Sequence, residues 1–215
     1  MAYRFASKSD VKRIAELHYN VRDKYEVGFF SKTDKFFLKN YYSLLLDTPY
    51  YFILCFCDDK TGEIMGFSSG VFDVEKHQEE ISKRKIKMGL SLCTSILKKP
   101  SLVGDILKRY KSINGQSEGS YQVNEGARSE YWVWDATDKK NGIKSVELLN
   151  KFYEIYFILG YKEVSFEVDE VNHNMIRFHI VNGAKVIDEK ILDDGRKRSF
   201  LKYNLTEKFK KNIKK

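Results

Sequence analysis

The sequence predicts an α/β fold, a mixed and mostly antiparallel sheet of six to seven strands flanked by helices, with a helical insertion between the third and fourth strands. Three observations lead there. Runs of β-branched and aromatic residues alternate with helical patterns in the order β-α-α-β-β-insertion-β-α-β-α-β-β. Two pairs of neighbouring strands are joined by short turns and read as antiparallel hairpins, whereas the strand–helix–strand unit at 130–169 reads as a right-handed parallel crossover. The 215 residues show no internal repeat or linker, and with 42% hydrophobic residues they can bury one large core, so a single domain over 1–215 is expected.

The elements follow in order. "YRFA" alternates Tyr3 and Phe5 against polar neighbours, as a short strand does. "SDVKRIAELHYNVRDKY" sets Val11, Ile14, Ala15, Leu17, His18 and Val21 on one side of a helix capped by Ser9 or Asp10. "TDKFFLKNYYSLLLDTP" repeats the pattern, with Thr33 or Asp34 as cap and Pro49 beyond its end. "YYFILCFCD" and "EIMGFSSGVFDV" form a hairpin around "DKTG", and the first arm, apolar on both faces, belongs inside the sheet. The texture changes over 75–120, where two helices broken at Pro100 carry an apolar stripe (Ile81, Met88, Leu92, Ile96, Leu97) beside a basic face. This insertion reads either as a helical pair packed on the domain or as a lid or docking surface for an acidic partner. "SEYWVWDA" returns to strand, followed by a long helix, the strand "KEVSFEVDEV", a short helix and a hairpin around "DDGR". A basic tail, 206–215, closes the chain.

Charge and cysteines narrow the function. With 38 Lys and Arg against 30 Asp and Glu, the net charge of +8 favours anionic partners. Dispersed basic residues without a nucleic-acid motif argue against a nucleic-acid-binding protein. Cys55 and Cys57 lie two apart in a strand, without metal-ligand spacing, and read as buried core. No apolar run is long enough for a membrane span, and "MAYRFASKSDVKRIAELH" lacks the apolar centre of a secretory signal, so a cytoplasmic location is expected. Peripheral membrane contact through the basic insertion, and a monomer or a homodimer, remain open.

The chemistry concentrates where a strand enters a helix, in "DATDKKNGIKSVELL" (135–149). A helix N-terminus offers unpaired N–H groups and a partial positive charge, a glycine admits close approach, and Lys139, Lys140 and Lys144 add point charges. Taken alone, this is equally an ordinary basic connection. The motifs around it resemble those of the GNAT superfamily of N-acetyltransferases. In Val133-Trp134-Asp135-Ala136-Thr137-Asp138-Lys139-Lys140-Asn141-Gly142-Ile143-Lys144, Lys139 stands where that family has Arg or Gln, and Gly142 takes its first glycine position. Lys144 replaces a usual Gly or Ala, and Ala136 a frequent Pro. Downstream, Asn172, Phe178 and Gly183 keep the register of the family's asparagine–helix–strand motif, with His179 where a tyrosine is common.

The resemblance implies a GNAT fold and an enzyme that uses acetyl-CoA as co-substrate, an acyl-CoA-dependent N-acyltransferase acting on a small-molecule amine. It implies that Trp134, Asp135, Lys139, Lys140, Asn141, Gly142, Ile143, Lys144 and Asn172 hold the cofactor. Alternation along "EYWVW" sets Glu130, Trp132 and Trp134 on one face. There Glu130 is the candidate base and Trp132 the candidate substrate-binding residue. His179 is the candidate acid, or hydrogen-bond partner, of the departing thiolate. The acceptor is expected between the N-terminal helices, Trp132 and the insertion, and the basic charge suggests an anionic one such as a nucleotide-linked amino sugar. A degenerate binding or scaffold domain, and transfer of a longer acyl or an aminoacyl group, are the alternatives.

Overall fold

The computed structural model describes residues 2–22, 30–84, 125–138, 140–192 and 195–210, together with 86, 89, 90, 96, 100, 103 and 104. Its strands are β1 (Ala2–Phe5), β2 (Tyr51–Cys57), β3 (Ile64–Val71), β4 (Arg128–Trp134), β5 (Glu163–Asp169), β6 (Ala184–Ile191) and β7 (Lys197–Asn204). The helices are α1 (Val11–Val21), α2 (Lys35–Leu45), α3 (Val74–Ser82), α4 (Gly142–Ile158), α5 (His173–Val181) and the short α6 (Leu205–Lys208). All seven strands join one sheet in the order β1-β2-β3-β4-β5-β7-β6, antiparallel except between β4 and β5. This is the mixed sheet flanked by helices that the sequence predicts.

Period-two alternation splits the core between the two faces of the sheet. Along β2, Tyr51, Ile53, Cys55 and Cys57 pack under α1 and α2, while Phe52, Leu54 and Phe56 pack under α4. Every β2 residue is buried, as its two-sided apolar sequence requires. Helix α4 buries Ser145, Leu148, Leu149, Phe152, Tyr153 and Tyr156, a stripe recurring every three and four residues. Helix α2 is capped by Asp34, whose side chain accepts from the Phe37 N–H at 2.8 Å. Asp10 makes no such cap on α1. Its carboxylate instead takes Arg4 at 2.7 and 2.8 Å and the Ser7 N–H at 2.8 Å, tying β1 to the turn before the helix.

The insertion leaves the sheet pairing intact because its ends meet. The Val74 N–H donates to the Gly126 carbonyl at 3.0 Å, so the excursion starts and finishes at one point. Val74 and His77 are buried, and Ile81 and Ile96 pack on the core under α1 and α2. His77 is thus a wall of that core. Most of the rest of the insertion, including the segment after Pro100 apart from 103 and 104, lies outside the described residues, as do residues 211–215 of the basic tail.

Strand β4 carries the feature that organises the site. Ser69 pairs with Tyr131 and Gly70 with Ser129, so Glu130 is an extra residue, a β-bulge, on β4. The bulge is held from above by Tyr156, whose hydroxyl sits 3.0 Å from the Val71 carbonyl and 3.1 Å from that of Arg128. Only a glycine leaves room for it: a Cβ on Gly70 would lie 2.4 Å from Tyr156 Oη and 2.5 Å from the Arg128 carbonyl. Gly70→Ala should therefore lose about 1–3 kcal/mol or more of stability by overpacking, read from urea unfolding. An unchanged midpoint would contradict this contact.

Candidate functional site

Strand β4 runs beside β3 from Arg128 to Trp134, yet its only register partner on β5 is Ser165, opposite Arg128. Beyond Arg128 the two parallel strands part. Successive peptide groups of a strand point to opposite edges. The Tyr131 N–H faces Ser69 Oγ at 3.3 Å, and the Asp135 N–H donates to the Met65 carbonyl at 2.8 Å, so odd-numbered groups past the bulge look toward β3. The peptide groups of Trp132 and Trp134 therefore look toward the opening, where β4 has no partner strand. A strand edge with free donors and acceptors faces the mouth of α4.

The turn between β4 and α4 is built by two aspartates. Asp135 takes Arg13 of α1 at 2.7 Å and the Thr137 N–H and hydroxyl at 2.9 and 2.7 Å. The hydrogen bonds from Thr137 and Arg13 hold its carboxyl below the usual range despite partial burial, which acts the other way. The expectation that Asp135 contacts a cofactor is corrected for its side chain, which is fully engaged in fastening the end of β4. Asp138 accepts from Trp134 Nε1 at 3.2 Å, the Lys140 N–H at 3.2 Å and Asn141 Nδ2 at 2.9 and 3.1 Å.

These bonds decide what Asn141 does. An asparagine at the N-cap ordinarily accepts from the second or third helical N–H. Here Asn141 occupies that position but makes no side-chain cap, because its amide is turned to Asp138. Asn141 therefore supplies no side-chain acceptor to the first turn of α4. Above them a Cβ on Gly142 would meet nothing within 4 Å, and Ile143 is exposed. Lys140 is exposed beside them. The Lys144 ammonium lies 3.5 Å from Glu147, along the helix instead of across its mouth, so it does not fill the space beside Gly142. Lys139 lies outside the described residues.

The bulge overturns one expectation. An unbroken strand would put Glu130 on the face of Trp132 and Trp134, but the extra residue reverses the alternation between them. Trp132 and Trp134 lie on the α4 side. Trp132 Nε1 donates to the Ser145 carbonyl at 3.0 Å and its ring packs on Phe178 at 5.3 Å, while Trp134 covers Gly66 and packs on Phe56 at 5.2 Å. Glu130 faces the α1–α2 side with Arg128, which holds Oε1 at 2.6 Å. Trp132 is therefore separated by the sheet from the N-terminal helices with which it was expected to form an acceptor site.

Sequence reasoning missed a charged row on that same face. From Arg128 and Glu130 it continues through Glu167 and Asp169 on β5 to Arg198 and Arg196, with Arg198 bonded to Glu167 at 2.8 Å and to Asp169 at 2.6 Å, and Arg196 to Asp169 at 2.5 Å. The signal was present: in "KEVSFEVDEV" the acidic residues alternate with Val164, Phe166 and Val168. Arg128 lay beyond the bulge, and no local pattern announced it.

His179 is buried at 5% exposure, packed on Phe166, Trp132 and Tyr203, with Nδ1 3.0 Å from the Tyr203 hydroxyl. Burial first, and then the Lys208 charge, push its pKa down to about 4, so the imidazolium proposed as an acid is absent at neutral pH. His18 is likewise buried against Phe30, Tyr42 and Tyr131, shares a 2.7 Å bond with Tyr42, and falls to about 4 through desolvation. Asn172 stands at the N-cap of α5 without a side-chain cap, leaving its amide to other uses. Gly183 closes α5 in the left-handed region at φ 94°, which fixes where β6 begins.

No family model and no curated protein matches the chain, but solved structures do. A ribosomal-protein-alanine N-acetyltransferase from Brucella melitensis shares 13% identity at a TM-score of 0.55, covering 95% of this chain and 99% of its own. FdhC, a nucleotide-linked sugar GNAT, shares 13% at 0.55, covering 98% and 89%. YncA from Salmonella typhimurium, solved with its cofactor acetyl-CoA, shares 15% at 0.53, covering 95% and 94%. The chain has the fold of the GNAT acetyltransferases. Among its described residues, no helix is long and apolar enough to cross a membrane.

Two predictions follow from this geometry. His18 and His179 titrate near 4 when folded against 6.5 when exposed. Between those values the unfolded chain binds more protons, so stability is full above pH 6.5 and falls as the pH drops toward 4. Each ring contributes on the order of 3 kcal/mol to that loss. Denaturation midpoints across this window should fall less steeply for His179→Phe than for the parent chain. Asp138→Ala should free Asn141 to cap α4, slowing hydrogen exchange of the Ile143 and Lys144 amides; unchanged exchange would show that Asp138 does not hold Asn141 away.

Proposed function

We propose that the protein transfers an acetyl group from acetyl-CoA to a primary amine by direct attack in a ternary complex. One observation carries this reading: within the GNAT acetyltransferase fold, the unpaired edge of β4 lies beside an uncapped, glycine-started helix N-terminus. The residues fit the co-substrate. The glycine-started N-terminus of α4, which Asn141 does not cap, suits a diphosphate with Lys140 and Lys144 as charges, and Gly142 leaves it space. The peptide groups of Trp132 and Trp134 suit the amide-bearing arm, with Asn172 in reach of the same role by its motif position. When bound, acetyl-CoA supplies an activated thioester.

The chain's own groups then have separate tasks. The Trp132 N–H can receive the charge that develops on the carbonyl oxygen. Glu130 takes the proton that must leave an alkylammonium before it can attack. Neutral His179 retains the hydrogen-bonding role toward the departing sulfur: when the Tyr203 hydroxyl donates to Nδ1, Nε2 carries the proton. The bulge places Glu130 on the α1–α2 face, so the acceptor approaches from there while the indoles line the opposite side. The +8 charge, and the likeness to a nucleotide-linked sugar GNAT, favour an anionic acceptor such as a nucleotide-linked amino sugar.

Thermal shift and calorimetry with acetyl-CoA, free CoA and a duplex oligonucleotide test this reading. Both CoA species should stabilise the protein and the duplex should not; no affinity for either at millimolar concentration would sink it. A panel of nucleotide-linked amino sugars, neutral amino sugars and polyamines, read by thiol release, then ranks acceptors. Glu130→Gln should cut kcat by about 10²–10⁴-fold and leave acetyl-CoA affinity in place.

A further inference from the structure

Two buried oxygens on the α1–α2 face have no hydrogen-bond partner among the described residues: Tyr51 Oη and Glu130 Oε2. Tyr51 is only 5% exposed, so solvent does not satisfy its hydroxyl. The strand register brings the two together. Tyr51 opens β2 opposite Val71, Ser69 lies on β3 between Ile53 and Tyr131, and Glu130 bulges from β4 next to Tyr131. Ser69 Oγ is close enough to influence the Tyr51 hydroxyl but forms no aligned bond with it. The Glu130 charge bears on Tyr51, adding to burial in raising its pKa. A third unpartnered oxygen, Ser68 Oγ, points to the other face of the sheet beside Leu54 and Trp132 and belongs to a different environment.

The surroundings of the pair are aromatic and fixed. The His77 ring stacks on Tyr51 with centroids 5.6 Å apart at 22°. Its Nδ1 is 3.1 Å from Thr48 Oγ1, whose own proton goes to the Leu45 carbonyl at 2.9 Å, so Nδ1 is the donor and the ring is held in one tautomer. Burial lowers the His77 pKa, against Glu130 and together with Arg128 and Arg84, so the ring stacked on Tyr51 is neutral. Arg128 binds Glu130 Oε1, and Oε2 is buried without a hydrogen-bond partner among the described residues.

A carboxylate oxygen only accepts, and a phenol oxygen can accept as well as donate. Burying both without partners costs about 1–3 kcal/mol each, so a guest with at least two N–H or O–H donors is favoured there. The negative charge and the ring faces select a cation among such guests. We propose that Tyr51 Oη and Glu130 Oε2 form the seat of the acceptor's amine nitrogen, with Tyr51 a second substrate-binding residue beside Glu130. The inference rests on the acetyl-transfer reading and adds where the nitrogen sits and what the site demands of it.

In that seat an alkylammonium gives one N–H to Tyr51 Oη and one proton to Glu130 Oε2. The carboxylate becomes a carboxylic acid and the nitrogen keeps a lone pair, which forms the C–N bond as the C–S bond breaks. The departing sulfur takes the electron pair of that bond, and the second nitrogen proton balances it as a thiol. An anionic remainder of the acceptor lies outside the seat, so the demand for a cationic nitrogen and the basic charge of the chain do not conflict.

Tyr51→Phe removes one oxygen without opening a cavity. It should raise the amine KM about tenfold, with the KM for acetyl-CoA unchanged and the melting temperature equal or higher. An unchanged amine KM would overturn the seat. A second measurement does not depend on turnover: propylammonium chloride, without acetyl-CoA, should stabilise the parent chain more than potassium chloride at equal ionic strength, and Tyr51→Phe should lose that difference. Equal stabilisation by the two salts refutes the seat. Tyr51-dependent propylammonium binding in a protein that fails to bind acetyl-CoA would keep the seat and remove the acetyl-transfer reading.

Discussion

Tyr156 reaches from α4 to the sheet and lays its hydroxyl against the carbonyls of Val71 and Arg128, over a glycine that no other residue could replace without collision. This contact clamps the β3–β4 pair where Glu130 bulges from the strand. The bulge reverses the facing of every side chain that precedes it relative to those that follow. Just before it β4 keeps its last partner on β5, and past it β4 runs on alone beside β3. Local twist is greater at a bulge, and a twisted β4 leaves the plane that a parallel partner needs. The opening, the free strand edge and the placement of Glu130 all depend on that one extra residue.

The bulge gives the two faces of the sheet different chemistry. On the α4 side the indoles of Trp132 and Trp134 are each anchored by a hydrogen bond and lie beside the uncapped mouth of α4. On the α1–α2 side a row of three arginines and three acidic residues crosses β4, β5 and β7, each acid paired. Paired charges at partial burial are held in fixed geometry, while Glu130 Oε2 is buried without a hydrogen-bond partner among the described residues. The buried histidines His18, His77 and His179 are neutral because burial penalises their charged forms. They serve as polar walls and hydrogen-bond partners in place of acids.

Much of this was legible in the chain. Periodicity located the strands and the helices α1, α2, α4 and α5, because burial on one face of an element demands a repeat of two or of three to four residues. The basic turn and the asparagine motif marked where α4 and α5 begin. The acidic alternation of β5 was also in view, though without its arginine partners, which come from strands distant in sequence, it carried no meaning. His77 carries no local mark of its place for the same reason: its neighbours Thr48 and Tyr51 are brought to it only by the fold.

By itself the sequence determined the order and type of the elements, the apolar stripes that pack them, and the residue types gathered at the end of β4, since each of these is set by neighbours along the chain. Only the tertiary structure decided which face Glu130 occupies, that Asp135 and Asp138 spend their oxygens on the turn, and that Tyr51 Oη and Glu130 Oε2 are buried without hydrogen-bond partners among the described residues. Those outcomes turn on the pairing register of β3 with β4 and on contacts between residues far apart in sequence. A single extra residue in one strand exchanges its faces, and local periodicity carries no mark of it.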